Sequence, residues 1–285
     1  MRIGVVDVGS NTIRLLLAKV EGPELVPLEK ERVRLALGAE IERTGVVSDV
    51  SIAAAAKAVG KLCDLARRGG AEMLDVFVTA PGRQSRNADQ LLDALVRASS
   101  HSVRVLSKEE EGRFAYAGAV ATADVALPGT IAVCDVGGAS TEVAVGDPGS
   151  APSWIESVDL GSVRLTARVD GQEAARAEAS NAFSALVPPK VEAALAVGGS
   201  ARAARRLVGP WLGAGELAEA LRLAETKSEQ TISRRYGVHR TRARILPAGL
   251  VLLAEVQQRL GVPLHVCDGG IREGAVLATV AELAA

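Results

Sequence analysis

Short apolar runs that end in polar, glycine-containing turns recur along this chain. Ile3 to Val6 leads into Asp7-Val8-Gly9-Ser10-Asn11-Thr12, and an apolar pattern resumes over Arg14-Leu15-Leu16-Leu17-Ala18. Ile131 to Cys134 leads in the same way into Asp135-Val136-Gly137-Gly138-Ala139-Ser140-Thr141, and Glu142-Val143-Ala144-Val145 follows. Each stretch reads as a buried strand, a tight polar turn and a second strand. Alanine-rich stretches with apolar positions at helical spacing separate further short runs. Ser51 to Arg67 predicts a helix stopped by Gly69-Gly70, Met73 to Val78 a strand, Asn87 to Ala98 a helix and Val103 to Leu106 a strand. Ser107-Lys108-Glu109-Glu110 has capping-box spacing, so a helix should run from Lys108 to about Val120. Beyond the turn at Pro128-Gly129 the pattern predicts a helix within 170–189, a strand at Leu195 to Val197, a helix from Pro247 to Leu260, a strand at Leu264 to Cys267 and a closing helix from about Ile271. This alternation predicts an α/β protein built from βα units. The expected domains are 1–124 and 125–285, with the last helix packing back on the first.

The two polar turns carry the candidate chemistry. Glycine lets backbone approach an anion closely, and successive N–H groups in such a turn form an anion-binding concavity. Ser10, Thr12, Ser140 and Thr141 offer hydroxyl donors, and an aspartate at the strand end offers the hard oxygen that Mg²⁺ prefers beside phosphate. One such loop is ordinary turn chemistry. Two with matched flanking strands predict two half-domains facing one phosphate site. Glu110 is explained by the capping box, whereas Glu111 lies about 100° further around the helix and is not.

Composition narrows the picture. A chain of 285 residues is long enough for two cores, and no apolar stretch is long enough to span a bilayer. The N-terminus enters an apolar strand that ends in an aspartate, which predicts a core strand rather than a signal peptide. Cys63, Cys134 and Cys267 are scattered without metal-ligand spacing, so a reduced, cytoplasmic protein is expected. A net charge of −1 gives no global field toward nucleic acid or membrane. The arginines nevertheless cluster at 202–206 and 234–244, where a polyanionic substrate, a dimer interface and a solvated helix face are all open readings. A homodimer is the default assembly.

Asp7 to Leu15, Glu109-Glu110-Glu111-Gly112-Arg113-Phe114-Ala115-Tyr116-Ala117-Gly118, Asp135 to Glu142 and Ile271-Arg272-Glu273-Gly274 together resemble the exopolyphosphatase/guanosine pentaphosphate phosphohydrolase family. Weaker matches are Thr79 to Asn87, Leu160 to Leu165, Gly198-Gly199-Ser200 and Leu246 to Gly249. The resemblance implies a two-lobed actin-like ATPase (ribonuclease H-like) fold with duplicated lobes and a cleft between them. It implies removal of terminal phosphate from polyphosphate or guanosine pentaphosphate (pppGpp), with Glu111 activating the water. Magnesium carboxylates fall on Asp135 and Glu142, with Asp7 as a third candidate. Phosphate contacts fall on Gly9, Ser10, Asn11, Thr12, Arg83, Gly137, Gly138, Ala139, Ser140 and Thr141. The chain stops after the second lobe, so short polyphosphate is the expected substrate, with pppGpp as the alternative.

Two departures stand out. Ala139 replaces a third glycine, where a Cβ would narrow the loop or forbid positive φ, and Arg244 stands where an acidic residue is common. With Ala139 in the loop, a sensor that binds polyphosphate or the alarmone without cleaving it stays open, and so does a small-molecule kinase of the same fold, to whose adenosine pocket Gly198-Gly199-Ser200 could contribute.

Overall fold

The computed structural model describes residues 1–22 and 24–284. The chain divides into two compact units, Met1–Ser107 with Arg272–Ala285, and Lys108–Ile271.

The first unit opens with β1 (Arg2–Val8), β2 (Thr12–Glu21) and β3 (Glu24–Arg34), an antiparallel meander. Helices α1 (Leu37–Thr44) and α2 (Asp49–Arg68) follow, α2 starting at an N-cap where Ser48 accepts from the Ser51 N–H. Strand β4 (Met73–Val78) then lies parallel to β1, followed by α3 (Ala80–Gln84), α4 (Ala88–Ser99) and the short β5 (Arg104–Val105). The sheet order is β3-β2-β1-β4-β5. Val6, Val8, Ile13 and Leu15 bury one face of it against α2 and α4.

The second unit begins with α5 (Lys108–Ala121) and repeats the plan with β6 (Ile131–Val136), β7 (Thr141–Gly146) and β8 (Trp154–Val158) as its antiparallel meander. Then come α6 (Ser162–Arg168), α7 (Gln172–Ala182), β9 (Ala193–Val197), α8 (Gly198–Val208), β10 (Trp211–Leu212), α9 (Ala214–Thr226), α10 (Glu229–Tyr236), α11 (Arg240–Arg244), α12 (Leu246–Leu260) and β11 (Leu264–Val266). Its order, β10-β11-β9-β6-β7-β8, contains the first sheet's arrangement with β10 added at the edge. Every residue of β6 and β7 is buried, because both faces of this sheet are covered. Ala132, Cys134 and Val136 pack among the helices that include α12, while Ile131 and Val133 pack against Ala115, Tyr116 and Ala119 of α5.

The last helix, α13 (Ile271–Ala284), is counted with the first unit from Arg272 onward. Arg272 donates to the Leu15 carbonyl at 3.3 Å, and Lys30 pairs with the buried Glu273 at 3.2 Å. The boundary expected at 124/125 differs from the observed division at 107/108. The reason is packing: α5 lies on β6, β7 and β8 and completes the second core.

Among the described residues no helix is long and apolar enough to cross a membrane. All three cysteines are free and buried, and burial pushes the thiols of Cys63 and Cys267 up to about 11 and about 12. Thiols so shifted carry almost no thiolate near neutrality and are poor nucleophiles.

Candidate active site

The two polar loops share their hydrogen-bond geometry. The Gly9 N–H donates to the Thr12 carbonyl at 3.0 Å, and the Gly137 N–H donates to the Ser140 carbonyl at 3.0 Å. Each loop is then braced by the start of a later helix. The Gly38 N–H at α1 donates to the Ser10 carbonyl at 2.7 Å, while at α6 the N–H groups of Val163 and Arg164 donate to the Gly138 carbonyl at 2.8 and 3.1 Å. Close approach requires glycine in both braces. A Cβ on Gly38 would lie 2.7 Å from the Ser10 Cβ, and one on Gly161 would run into Gly138. Among the described residues, no acceptor takes the N–H groups of Gly138, Ala139 or Ser140. Three successive donors in a glycine-rich turn suit a phosphate oxygen.

Carboxylates surround the second loop. Asp135 and Glu142 are directly opposite each other in the β6–β7 register and are only 9% and 2% exposed. Opposed residues of an antiparallel pair have Cβ atoms about 4.5–5.5 Å apart on one face. Alternation puts Asp135 with Ile131 and Val133, and Glu142 with Ala144, on the face covered by α5. Glu111 is 4% exposed and precedes the sheet-facing Ala115 and Ala119 by one and two helical turns, so it lies on the same stripe of α5. Glu111, Asp135 and Glu142 thus share one buried face of the second sheet.

The first loop differs at the equivalent place. Asp7 is opposite Arg14 in the β1–β2 register, and the Arg14 Nε donates to the Thr12 hydroxyl at 2.9 Å. The same seven-residue spacing therefore sets Asp7 against a cation and Asp135 against an anion. Arg83 sits on α3, in the first unit, and its guanidinium donates to the Leu106 carbonyl.

The sequence profile of the Ppx/GppA phosphatase family matches residues 16–212. The chain belongs to this family. A guanosine-5'-triphosphate,3'-diphosphate pyrophosphatase of Pseudoalteromonas atlantica is 26% identical over 298 residues, covering 95% of this chain and 57% of that protein. Exopolyphosphatase 2 of Mycobacterium tuberculosis is 30% identical over 203 residues, covering 68% of this chain and 63% of that protein. The chain thus spans about three-fifths of the length of these curated relatives. The crystal structure of the Aquifex aeolicus Ppx/GppA family member superposes with a TM-score of 0.83 at 23% identity, covering 99% of this chain and 98% of that one. The fold is accordingly the duplicated, two-lobed fold of Ppx/GppA proteins.

The expected magnesium site of this Ppx/GppA protein can be tested against its donors. Two buried carboxylates side by side repel each other, and a divalent cation relieves that repulsion. The Ser157 hydroxyl donates to Glu142 Oε1 at 2.9 Å and fixes its orientation. Gly198, at φ +87°, lets backbone pass where a Cβ would run into Asp135 Oδ1. Among the described residues no group of three or more His, Cys, Asp or Glu side chains forms a metal cage. Mg²⁺ is commonly held by one or two carboxylates, waters and phosphate oxygens, and the Asp135–Glu142 pair fits that mode.

Two expectations change. Thr141 is fully buried and its hydroxyl donates to the Leu160 carbonyl at 2.7 Å, so its side chain holds the fold rather than facing phosphate. Ala139 does not adopt positive φ; among the described non-glycine residues only Ala36 and Ser100 do. The alanine therefore imposes no backbone strain on the loop.

Other groups at the loop were weak signals in the sequence. The Ser162 hydroxyl donates to the Gly137 carbonyl at 3.0 Å and accepts from Arg242 at 3.5 Å. Arg242 also lies over Gly199, where a Cβ would come 2.5 Å from its Nη2. The available signal for Ser162 was the repeated Leu-Gly pair, Leu37-Gly38 and Leu160-Gly161, placed after each meander.

Glycine also sets the position of Glu111. A Cβ on Gly112 would lie 2.5 Å from Cγ2 of Ile155 on β8. Gly112→Ala should therefore push α5 off the sheet, at about 1–3 kcal/mol for overpacking. On the reading of Glu111 as general base proposed below, a misplacement near 1 Å would cost about 10²-fold in turnover. Thermal unfolding and kcat check this, and adding Ile155→Ala to vacate the space should restore part of both.

Proposed function

We infer that this chain is a phosphohydrolase that releases the terminal phosphate of inorganic polyphosphate. The observation that carries this reading is the shared buried face of Glu111, Asp135 and Glu142 beside a loop with three uncommitted N–H donors. In the proposed reaction a water oxygen attacks the terminal phosphorus, the bridging P–O bond breaks and Glu111 accepts the proton of the water. The products are orthophosphate and a chain one phosphate shorter.

Phosphoryl transfer asks chiefly for alignment and charge stabilisation. Gly138, Ala139 and Ser140 supply backbone donors to the phosphoryl oxygens, while the Gly137 N–H closes the turn on the Ser140 carbonyl; such donors are worth most in a site that excludes water. Asp135 and Glu142 would hold Mg²⁺, which when bound neutralises phosphoryl charge. Within the first unit, Gly9, Ser10, Asn11 and Thr12 repeat the turn geometry and would offer phosphate a second set of contacts, with Asp7 at the strand end and Arg83 on α3 of the same unit. Hydrolysis of pppGpp is the second reading, favoured by the pyrophosphatase relative that covers 95% of this chain.

Phosphate release from tripolyphosphate, long-chain polyphosphate and pppGpp, each with Mg²⁺ and with EDTA, tests the assignment. Magnesium-dependent release from polyphosphate is expected. Release from pppGpp alone would establish the second reading. Binding without release from any of them would make the protein a sensor.

A further inference from the structure

One strongly charged surface is left over once the loops and carboxylates are accounted for. Between residues 227 and 245 the chain carries six Lys and Arg residues and one carboxylate, Glu229, in a protein whose net charge is −1. Arg234, Arg235, Arg240 and Arg244 are all exposed. Arg240 and Arg244 are one helical turn apart on α11, a like-charge spacing that destabilises a helix unless an anion covers it. Neither has a carboxylate partner among the described residues. Arg206, from the end of α8, donates to the Gly237 carbonyl and brings another exposed cation to the end of α10.

This surface is tied to the second phosphate loop by contacts within the same unit. The Gly137 carbonyl accepts from Ser162, Ser162 accepts from Arg242, and Arg242 belongs to α11. Helix α11 is little more than one turn, about 7 Å long; Arg240 and Arg244, two positions either side of Arg242, stand on its solvent side, about a helix width from that contact. Arginine forks grip phosphate oxygens in pairs.

We propose that Arg240 and Arg244, with Arg234 and Arg235, form a binding surface for the phosphates of a polyphosphate chain that lie beyond the reacting end, and so set a preference for longer chains. This rests on the polyphosphate reading above and reverses the expectation of short substrates. Polyphosphate suits the surface better than nucleic acid does. Single-stranded nucleic acid is gripped by aromatic rings that stack on bases, and the aromatic ring within this stretch is Tyr236, with the Arg235 guanidinium 5.5 Å from its centroid.

The test compares wild type with Arg240→Glu/Arg244→Glu and with the milder Arg240→Gln/Arg244→Gln, using tripolyphosphate and long-chain polyphosphate. Two readouts are taken: phosphate release with Mg²⁺, and direct binding in EDTA over a range of salt. The expected result is a roughly tenfold or larger rise in KM and Kd for long chains, with a salt slope lower by about 1 per arginine removed. Values for tripolyphosphate, and kcat for both substrates, should not change. An equal effect on both substrates, or none on the long chain, would overturn the proposal. So would single-stranded RNA binding wild type as tightly as polyphosphate and losing affinity in parallel. If wild type released no phosphate, the hydrolase reading would fail on its own; long-chain binding that still required these arginines would support the surface without it.

Discussion

Glu111→Gln is expected to lower kcat for phosphate release by about 10²–10⁴-fold, the usual worth of a positioned general base, with KM little changed. Glutamine keeps the shape and hydrogen-bonding capacity of the side chain but cannot accept a proton from water. Because Glu111 is 4% exposed on a helix packed against the sheet, the isosteric change should leave the fold intact. It also removes one of three carboxylates on a single buried face, so the melting temperature should hold or rise. Glu109→Gln is the matched control, since Glu109 is exposed and paired with Arg113 at 2.6 Å. The two variants should separate by orders of magnitude in kcat and hardly at all in unfolding temperature. A Glu111→Gln protein that turns over like wild type would remove Glu111 from the chemistry.

What the sequence exposed, and what it hid, follows from where the information lies. The two loops were legible because each joins a fully apolar run to a glycine turn, and the structure places strands β1, β2, β6 and β7 there. Helix α5 was legible through its capping pattern and ends one residue beyond the expected Val120. Strand β3 was not, because its charged, exposed residues, Glu29-Lys30-Glu31-Arg32 among them, carry no alternation; its place at the sheet edge comes chiefly from backbone bonds to β2, with the Lys30–Glu273 pair and the packing of Val33 added. The brace at Leu37-Gly38 was equally hidden and that at Leu160-Gly161 showed only as a weak family match, since their role is close backbone contact with distant loops. The domain boundary was misplaced for a related reason. A composition change near Pro128-Gly129 marks a turn, whereas α5 is assigned by what it packs against.

The asymmetry between the loops shows how far local sequence can carry a site. Both place a residue seven positions after the strand-end aspartate directly across the pair, Arg14 in one case and Glu142 in the other. Read from the loops alone, Asp7 and Asp135 look equivalent. The register sets Asp7 opposite a cationic residue and Asp135 opposite an acidic one, so the proposed Mg²⁺ is assigned to the second loop.

That difference leads to a second large effect. Asp135→Asn and Glu142→Gln, made singly, should each abolish most turnover, a loss of about 10²–10³-fold if bound Mg²⁺ contributes several kcal/mol to the barrier. Yet each should stabilise the metal-free protein, because opposed like charges in a sheet cost about 0.2–1 kcal/mol and burial raises that cost. Glutamine at 142 can still accept from Ser157, so the polar contact on that side survives. In EDTA the variants should therefore melt at or above the wild-type temperature. With Mg²⁺ the order should reverse, since only wild type gains the stabilisation that binding to the native state confers. Unfolding curves with and without Mg²⁺, read beside phosphate release, distinguish this from a structural role. If the variants melt lower in EDTA, or keep the Mg²⁺-induced shift, the two carboxylates hold the sheet rather than the metal.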